Sequence, residues 1–186
     1  PLPEKAVLLT FDDGYRSFYD IVFPLLKLYN FPAVQAVVGS WLDTPAGGRV
    51  PYGSITLPRE RFLSWEQVKT LGESPLVEIA SHSYNLHYGV FGNPMGNEQA
   101  AAVTSIWNPR SGYETEAGYL TRIRNDMALT QQRFQEEIGK SPRIIVWPYG
   151  AYSEATLNIA AEYGMEYTFS LLSAPNHLHD SMRSMN

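Results

Sequence analysis

Short apolar runs and longer amphipathic stretches alternate along this chain. The first run, Ala6-Val-Leu-Leu-Thr-Phe11, suits a strand buried on both faces, and it stops abruptly at Asp12, Asp13 and Gly14. From Ser17 to Tyr29 the positions Phe18, Ile21, Val22, Leu25, Leu26 and Leu28 fall at helical spacing, with Pro24 as an internal irregularity. Residues 31–38 read as a second strand. Gly39 to Arg61 is rich in Gly and Pro and reads as a long loop, a type of segment that is often functional or disordered. Ser64-Trp-Glu-Gln67 sets a capping serine three residues before a glutamine, which predicts a short helix through Leu71. Leu76-Val-Glu-Ile-Ala80 is a further strand and leads into His82. Between Tyr84 and Tyr113 the Gly and Pro punctuators exclude one continuous element, while leaving room for a short helix from Asn97 to Ile106. Glu116 to Ile138 is a long helix with Leu120, Ile123, Met127, Leu129, Phe134 and Ile138 inward, ended by Gly139 and Pro142, and its charge run reads as a solvated face. Arg143 to Trp147 is a strand, Ser153 caps a helix from Glu154 to Tyr163 that Gly164 closes, and Tyr167 to Leu172 is a last strand before a tail without periodicity.

This alternation of strands and helices predicts an α/β protein with a mainly parallel sheet. The chain of 186 residues fits a single domain spanning 1–186, with a continuous core. There is no cysteine, so disulfides, thiolate nucleophiles and Cys-ligated zinc are excluded, and any metal must use oxygen and imidazole. A net charge of −5 without a basic block argues against nucleic acid or an anionic membrane as partner. No run approaches the ~18 apolar residues of a membrane span, and the N-terminus does not read as a signal sequence. The expectation is a soluble segment excised from a longer chain, with any targeting segment removed. The rings Trp41, Tyr52, Tyr84, Tyr88, Phe91 and Trp107 lie in the two irregular stretches, where they either stack on sugar faces or pack into the core.

Candidate chemistry collects where strands stop. Adjacent carboxylates at Asp12 and Asp13 cannot both enter a core unpartnered, so either a cation joins them or one caps the following helix. A second strand runs into His82-Ser-Tyr-Asn-Leu-His87 and a third into Pro148-Tyr-Gly150. Five residues on a helix turn a side chain about 140° away, whereas four bring it back within about 40°, so His82 and His87 belong to a strand end and an irregular turn. The bland alternatives are surface histidines and a simple turn.

Thr10-Phe-Asp-Asp-Gly14, His82-Ser83 with His87, and Pro148-Tyr-Gly150, in that order, resemble the first three motifs of the polysaccharide (NodB-type) deacetylases, carbohydrate esterase family 4. The residues from Leu8 to Pro24 and the wider histidine spacing are most similar to the PgaB/HmsF branch, which de-N-acetylates poly-β-1,6-N-acetylglucosamine in biofilm-forming bacteria. The resemblance implies a distorted (β/α) barrel with catalysis at the carboxyl ends of its strands. An open doubly wound sheet would place ligands at the same ends, so motif placement does not separate the two. It implies that Asp13, His82 and His87 hold one divalent metal ion (Zn, Co, Ni or Fe(II)), that Asp12 is the general base, and that the Tyr149 backbone N–H is an oxyanion donor. Tyr84, Trp107, Trp147, Pro148 and Tyr149 are the implied substrate-binding residues. Departures are visible too. Val146 stands where the family has an arginine bracing the catalytic Asp, although Arg143 lies on the same strand, and no fourth motif follows Gly164. Leu178-His179 is the candidate fifth motif, with His179 either the general acid or a surface residue. Missing bracing and acid groups predict slow catalysis, not none.

The implied function is metal-dependent removal of acetyl from N-acetylglucosamine units of a polysaccharide. The alternatives are a glycan-binding domain with lost catalysis, or a deacetylase of peptidoglycan, chitin or xylan. By the same resemblance, the expected setting is periplasmic or outer-membrane-associated, with a C-terminal glycan-binding or hydrolase domain in the full-length protein and partners in export machinery.

Overall fold

The computed structural model describes residues 6–171 together with Pro175, Asn176 and Met185. Strand β1 (Leu9–Phe11) leads through a wide helical turn at Phe18–Val22 into helix α1 (Phe23–Tyr29), and β2 (Ala33–Val37) follows. A helical turn α2 (Gly39–Leu42), a hairpin of β3 (Arg49–Tyr52) and β4 (Ile55–Pro58), and helix α3 (Trp65–Gly72) precede β5 (Val77–Ser81). Two hairpins come next, β6 (Gly89–Phe91) with β7 (Glu98–Ala100) and β8 (Trp107–Asn108) with β9 (Gly112–Tyr113). Helix α4 (Glu116–Ile138), β10 (Ile144–Val146), α5 (Glu154–Glu162) and β11 (Tyr167–Phe169) complete the series.

Five strands pair in the order β1-β2-β5-β10-β11, all parallel. Spatial order follows chain order without a reversal. Right-handed crossovers that always step the same way put every covering helix on one face. A doubly wound sheet needs a reversal, so this order selects the incomplete barrel over the open alternative. Alternation along the strands agrees. Val34, Ala36, Ala80, Ile144, Val146 and Phe169 pack on one another as the inner face, whereas Ala33, Val37, Val77 and Ile79 join Leu26, Val68, Leu71 and Phe134 under α1, α3 and α4. Ile145 faces Ile123, Met127 and Ile159 of α4 and α5.

Several segments differ from the sequence expectation for identifiable reasons. β1 is an edge strand with β2 as its one neighbour, so Thr10 is exposed and the run is not buried on both faces. Pro24 lacks an N–H, and the turn before it widens so that the Phe23 N–H reaches Phe18 O. The stretch 39–61 is not one loop, because it holds α2 and the β3–β4 hairpin. No helix forms at 97–106, where β7 pairs with β6 instead. The α4 charge run is only partly a solvated face. Asp126 is buried at 6% exposure, and Arg133 forks onto Asp43 with Nη2–Oδ1 at 2.7 Å and Nε–Oδ2 at 2.9 Å. Capping followed the sequence closely: Ser64 and Gln67 form the reciprocal box, and Gly139 takes the left-handed cap of α4 at φ +70°.

Phe134 is 1% exposed and meets Trp65 edge to face at 5.6 Å, which ties α4 to α3. Phe134→Ala is expected to lower unfolding free energy by about 3–5 kcal/mol, read from urea midpoints at constant slope. A loss below about 1 kcal/mol would contradict this packing.

Candidate active site

Each of the three motifs turns the backbone sharply as its strand ends. Asp13, Ser83 and Tyr149 all adopt positive φ, at +69°, +69° and +59°. Among the described non-glycine residues only Asn30, the left-handed cap of α1, shares that conformation. Such residues cost on the order of 1–3 kcal/mol each and persist where their surroundings hold them, characteristically at functional sites. Gly14 follows at φ +69° with Val37 Cγ1 3.1 Å from where a Cβ would sit, so this turn takes only glycine easily.

The turns bring Asp13, His82 and His87 together. Their ligand-type atoms lie within 4.8 Å of one another, with Asp13 Oδ1 3.5 Å from His82 Nε2 and 3.3 Å from His87 Nε2. Ligands about 2.0–2.1 Å from a tetrahedral ion stand roughly 3.3–3.4 Å apart, so Asp13 Oδ1 already stands near that edge length from each of the two imidazole nitrogens. The remaining atoms are engaged. His82 Nδ1 is 2.7 Å from Val146 O, so Nδ1–H donates there and leaves the Nε2 lone pair free toward Asp13. His87 Nδ1 is 3.3 Å from the Tyr149 hydroxyl, and the Tyr52 hydroxyl donates to Asp13 Oδ2 at 2.9 Å. Burial lowers the pKa of His82, and burial and then His82 lower that of His87, which keeps both imidazoles in the neutral, ligating form. Asp12 is pushed up, first by burial and then by the charge of Asp13. Its Oδ1 is buried with no partner among the described residues, and no helix N–H bonds to it, so the capping role is not the one it takes. An orphaned carboxylate oxygen beside an oxygen-and-two-imidazole set fits a divalent cation with a bound water.

The five-residue histidine spacing is met by an irregular loop. Its N–H groups go to side chains: Ser83 to Ser81 Oγ at 2.9 Å, Tyr84 to Asp126 Oδ1 at 2.9 Å, Asn85 to Asp126 Oδ2 at 2.7 Å and Leu86 to Ser83 Oγ at 2.9 Å. Asp126 was not foreseen from the sequence. The signal was its place in the series Ile123, Asp126, Met127, Thr130, Phe134, which puts it on the inward stripe of α4.

The family model for polysaccharide deacetylases matches residues 1–168. The chain belongs to the polysaccharide deacetylase family. Escherichia coli K12 poly-β-1,6-N-acetyl-D-glucosamine N-deacetylase is 42% identical over 172 residues, which are 92% of this chain and 26% of that protein. The solved BpsB deacetylase domain of Bordetella bronchiseptica superposes with a TM-score of 0.95 at 45% identity, covering 100% of this chain and 71% of that one. A de-N-acetylase from Aggregatibacter actinomycetemcomitans gives a TM-score of 0.92 at 44% identity, covering 99% and 70%. The chain therefore spans about a quarter of the length of the curated E. coli relative.

Against the deacetylase motifs, the aromatic residues sort by environment. Trp41 and Tyr149 crowd the His87 ring at centroid distances of 4.9 and 4.6 Å, and Tyr52 lies parallel to it at 6.0 Å. Trp41 is 3% exposed and packs on Phe62, so its role is core packing behind the site. Trp147 is not an open sugar platform either. It is 1% exposed and sits in the core with Leu86, Met127 and Ile159, because it faces the helices and not the site. Pro148 is buried beside it. Tyr84 packs against Gly39, where a Cβ would meet its Cδ2 at 2.7 Å, and its hydroxyl donates to Asp43. Trp107 is half-buried on β8 and, among the described residues, does not stack on the His87 cluster. Of the five rings and turn residues expected to meet substrate, Tyr149 is the one with an exposed side chain, at 48%. Arg143 does not stand in for the missing bracing arginine, since it pairs with Glu78 at 2.8 Å at the start of β10. Leu178 and His179 lie outside the described residues.

Burial raises the Asp126 carboxyl from its ordinary 3.8 to about 6, against the opposing pull of its two N–H donors. A group raised in the folded state contributes stability that is present below pH 3.8 and lost as pH climbs through about 6. In metal-free protein, the stability of the parent relative to Asp126→Asn should therefore fall between pH 4 and pH 7, by an amount on the order of 3 kcal/mol. Urea unfolding of both proteins at the two pH values reads this difference, and a constant difference would refute it.

Proposed function

We propose that this chain is the catalytic part of a metal-dependent polysaccharide N-deacetylase that removes acetyl groups from N-acetylglucosamine units, with the β-1,6-linked polymer as substrate. The observation that carries the reading is the convergence of Asp13, His82 and His87 within 4.8 Å, beside Asp12 with its buried, unpartnered Oδ1, at the ends of parallel strands. The E. coli relative's name supplies the linkage. Its greater length makes the activity of the whole protein part of the proposal.

Asp13, His82 and His87 are assigned to hold one divalent ion, with Zn, Co, Ni and Fe(II) all suited to one carboxylate and two imidazoles. When bound, such an ion supplies Lewis acidity and lowers the pKa of coordinated water from about 15.7 toward about 7. Asp12 carries no ligand role and takes the proton from the attacking water. The Tyr149 turn uses the N–H groups of Gly150 and Ala151 for its own bonds, at 2.9 and 3.1 Å, and leaves the Tyr149 N–H outside them as the donor for the developing oxyanion. Gly150 is required there, because at φ +64° a Cβ would meet Leu171 at 2.9 Å. The proton that Asp12 takes is then available to the leaving amine, while a general acid at His179 rests on the family resemblance alone. Periplasmic or outer-membrane placement, a C-terminal glycan-binding or hydrolase domain and export-machinery partners have that same support. No described helix is long and apolar enough to cross a membrane.

Acetate release from defined β-1,6 and β-1,4 N-acetylglucosamine oligomers tests the reading. Activity should vanish with chelator, return with added metal, and favour the β-1,6 series. Asp12→Asn should retain the metal and lose about 10²–10⁴-fold in kcat/KM, whereas Asp13→Asn should lose metal affinity. Equal metal loss in both variants would overturn the assignment of base and ligand. A parent that retains glycan without releasing acetate would establish the binding-domain alternative instead.

A further inference from the structure

We infer that Asp126 of α4 is a positioning residue for the metal site, setting the separation of His82 and His87 by taking two successive N–H groups of the loop between them. The inference rests on the reading of Asp13, His82 and His87 as ligands.

The loop has no ladder or helix to hold it, so its shape is set by where its polar groups go. Of the four consecutive N–H groups at 83–86, one is taken by Ser81 at the end of β5 and one by Ser83 within the loop itself. The other two, at Tyr84 and Asn85, go to the two oxygens of one carboxylate more than forty residues away in sequence. On the carbonyl side, the N–H groups of Gly39 and Ser40 reach Ser83 O at 3.2 Å and Tyr84 O at 2.8 Å. The loop is therefore gripped between α2 and α4, and Asp126 is the grip on the donor side.

Only an ionised carboxylate suits that position, because it accepts at both oxygens and donates nowhere. Asn in its place would turn an NH2 toward one of the two donors. Asp126 is buried and, among the described residues, has no ion pair, so the chain keeps a desolvated charge there for two backbone bonds. Coordination distances tolerate about 0.2 Å, so a loop that drifts by a few tenths of an ångström loses one imidazole from the set.

The test is Co2+ titration, followed by calorimetry and by the visible absorption of the bound ion, on the parent, Asp126→Asn and Thr130→Ala. Thr130 is buried one turn further along α4 and bonds to no part of the loop, so its variant reports what destabilising this helix does by itself. Asp126→Asn is expected to weaken Co2+ binding at least tenfold, to change the absorption band, and to lose hydrogen-exchange protection at the Tyr84 and Asn85 amides. Thr130→Ala should lower Tm and leave Co2+ affinity at the parent value. An Asp126→Asn protein with parental affinity and spectrum would overturn the inference, as would an equal loss of affinity in Thr130→Ala. If Asp126→Asn fails to fold, Asn85→Pro and Asn85→Ala carry the comparison, since the first removes the N–H and the second keeps it. Weaker Co2+ binding in the proline variant alone supports the inference, and equal binding in the two overturns it. A parent that binds no Co2+ overturns the metal reading and this inference with it.

Discussion

Adjacent carboxylates at the end of β1, where water reaches poorly, impose the constraint that the surrounding residues answer. Burial penalises the charge on each, and two like charges on neighbouring side chains repel besides. Burial and the neighbouring charge push Asp12 upward in consequence. Elsewhere the chain neutralises two half-buried carboxylates with arginine, Asp43 with Arg133 and Glu114 with Arg122. At the strand ends it uses none. It surrounds Asp13 with two imidazoles held neutral and a tyrosine that donates a hydrogen bond. An arginine would satisfy the charge permanently and close the site. Lone pairs and hydroxyl donors leave the negative charge standing and supply the other ligands a cation needs.

The fold contributes direction. Because the five strands run parallel and in chain order, their carboxyl ends share one rim, and three residues at positive φ bend the chain there as it leaves the sheet. Small side chains at Ala36 and Ala80 let the inner face close beneath the rim. The Val146 carbonyl shows how closely strand and site are joined: the position where the family has arginine still serves the site, through its backbone, by fixing the tautomer of His82. The valine side chain itself offers Asp12 no hydrogen bond, and the Asp12 Oδ1 stays without a partner among the described residues.

Much of this is legible in the sequence. The capped helices, the parallel strands and the ligand-type residues at strand ends follow from local rules, since a capping box or an apolar run carries its meaning within a few residues. The barrel follows from the motif resemblance and is what the structure has, whereas periodicity alone does not separate it from a doubly wound sheet, because strand order is a property of crossovers that periodicity does not record. The three hairpins at 49–58, 89–100 and 107–113 escape the sequence pattern for a related reason: their strands are two to four residues long, too short for alternation to register. Trp147 misled because its neighbour in sequence is the Pro148 turn, while alternation along β10 turns its ring to the opposite side, against α4 and α5. Asp126 is concealed among the many charges of α4, although its offset of three from Ile123 sets it on the inward stripe.

Helix α4 illustrates why the supporting residues are harder to read than the ligands. Ligands announce themselves by type, since few residues can bind a metal. A residue that holds a ligand needs only to accept a hydrogen bond at the right place, and many types can do so. What marks Asp126 is its cost: a carboxyl pushed up to about 6 is an ionised group the fold would rather protonate. Arg133, two turns on, reaches the same loop through Asp43 and the Tyr84 hydroxyl, so one face of α4 both packs the core and steadies the histidine segment. An apolar residue at 126 would remove the buried charge. The loop's two N–H groups would then be buried without acceptors, and the imidazole pair would lose the fixed spacing that a divalent ion requires. The charge is kept where it destabilises the fold because the geometry it maintains lies elsewhere, at the rim.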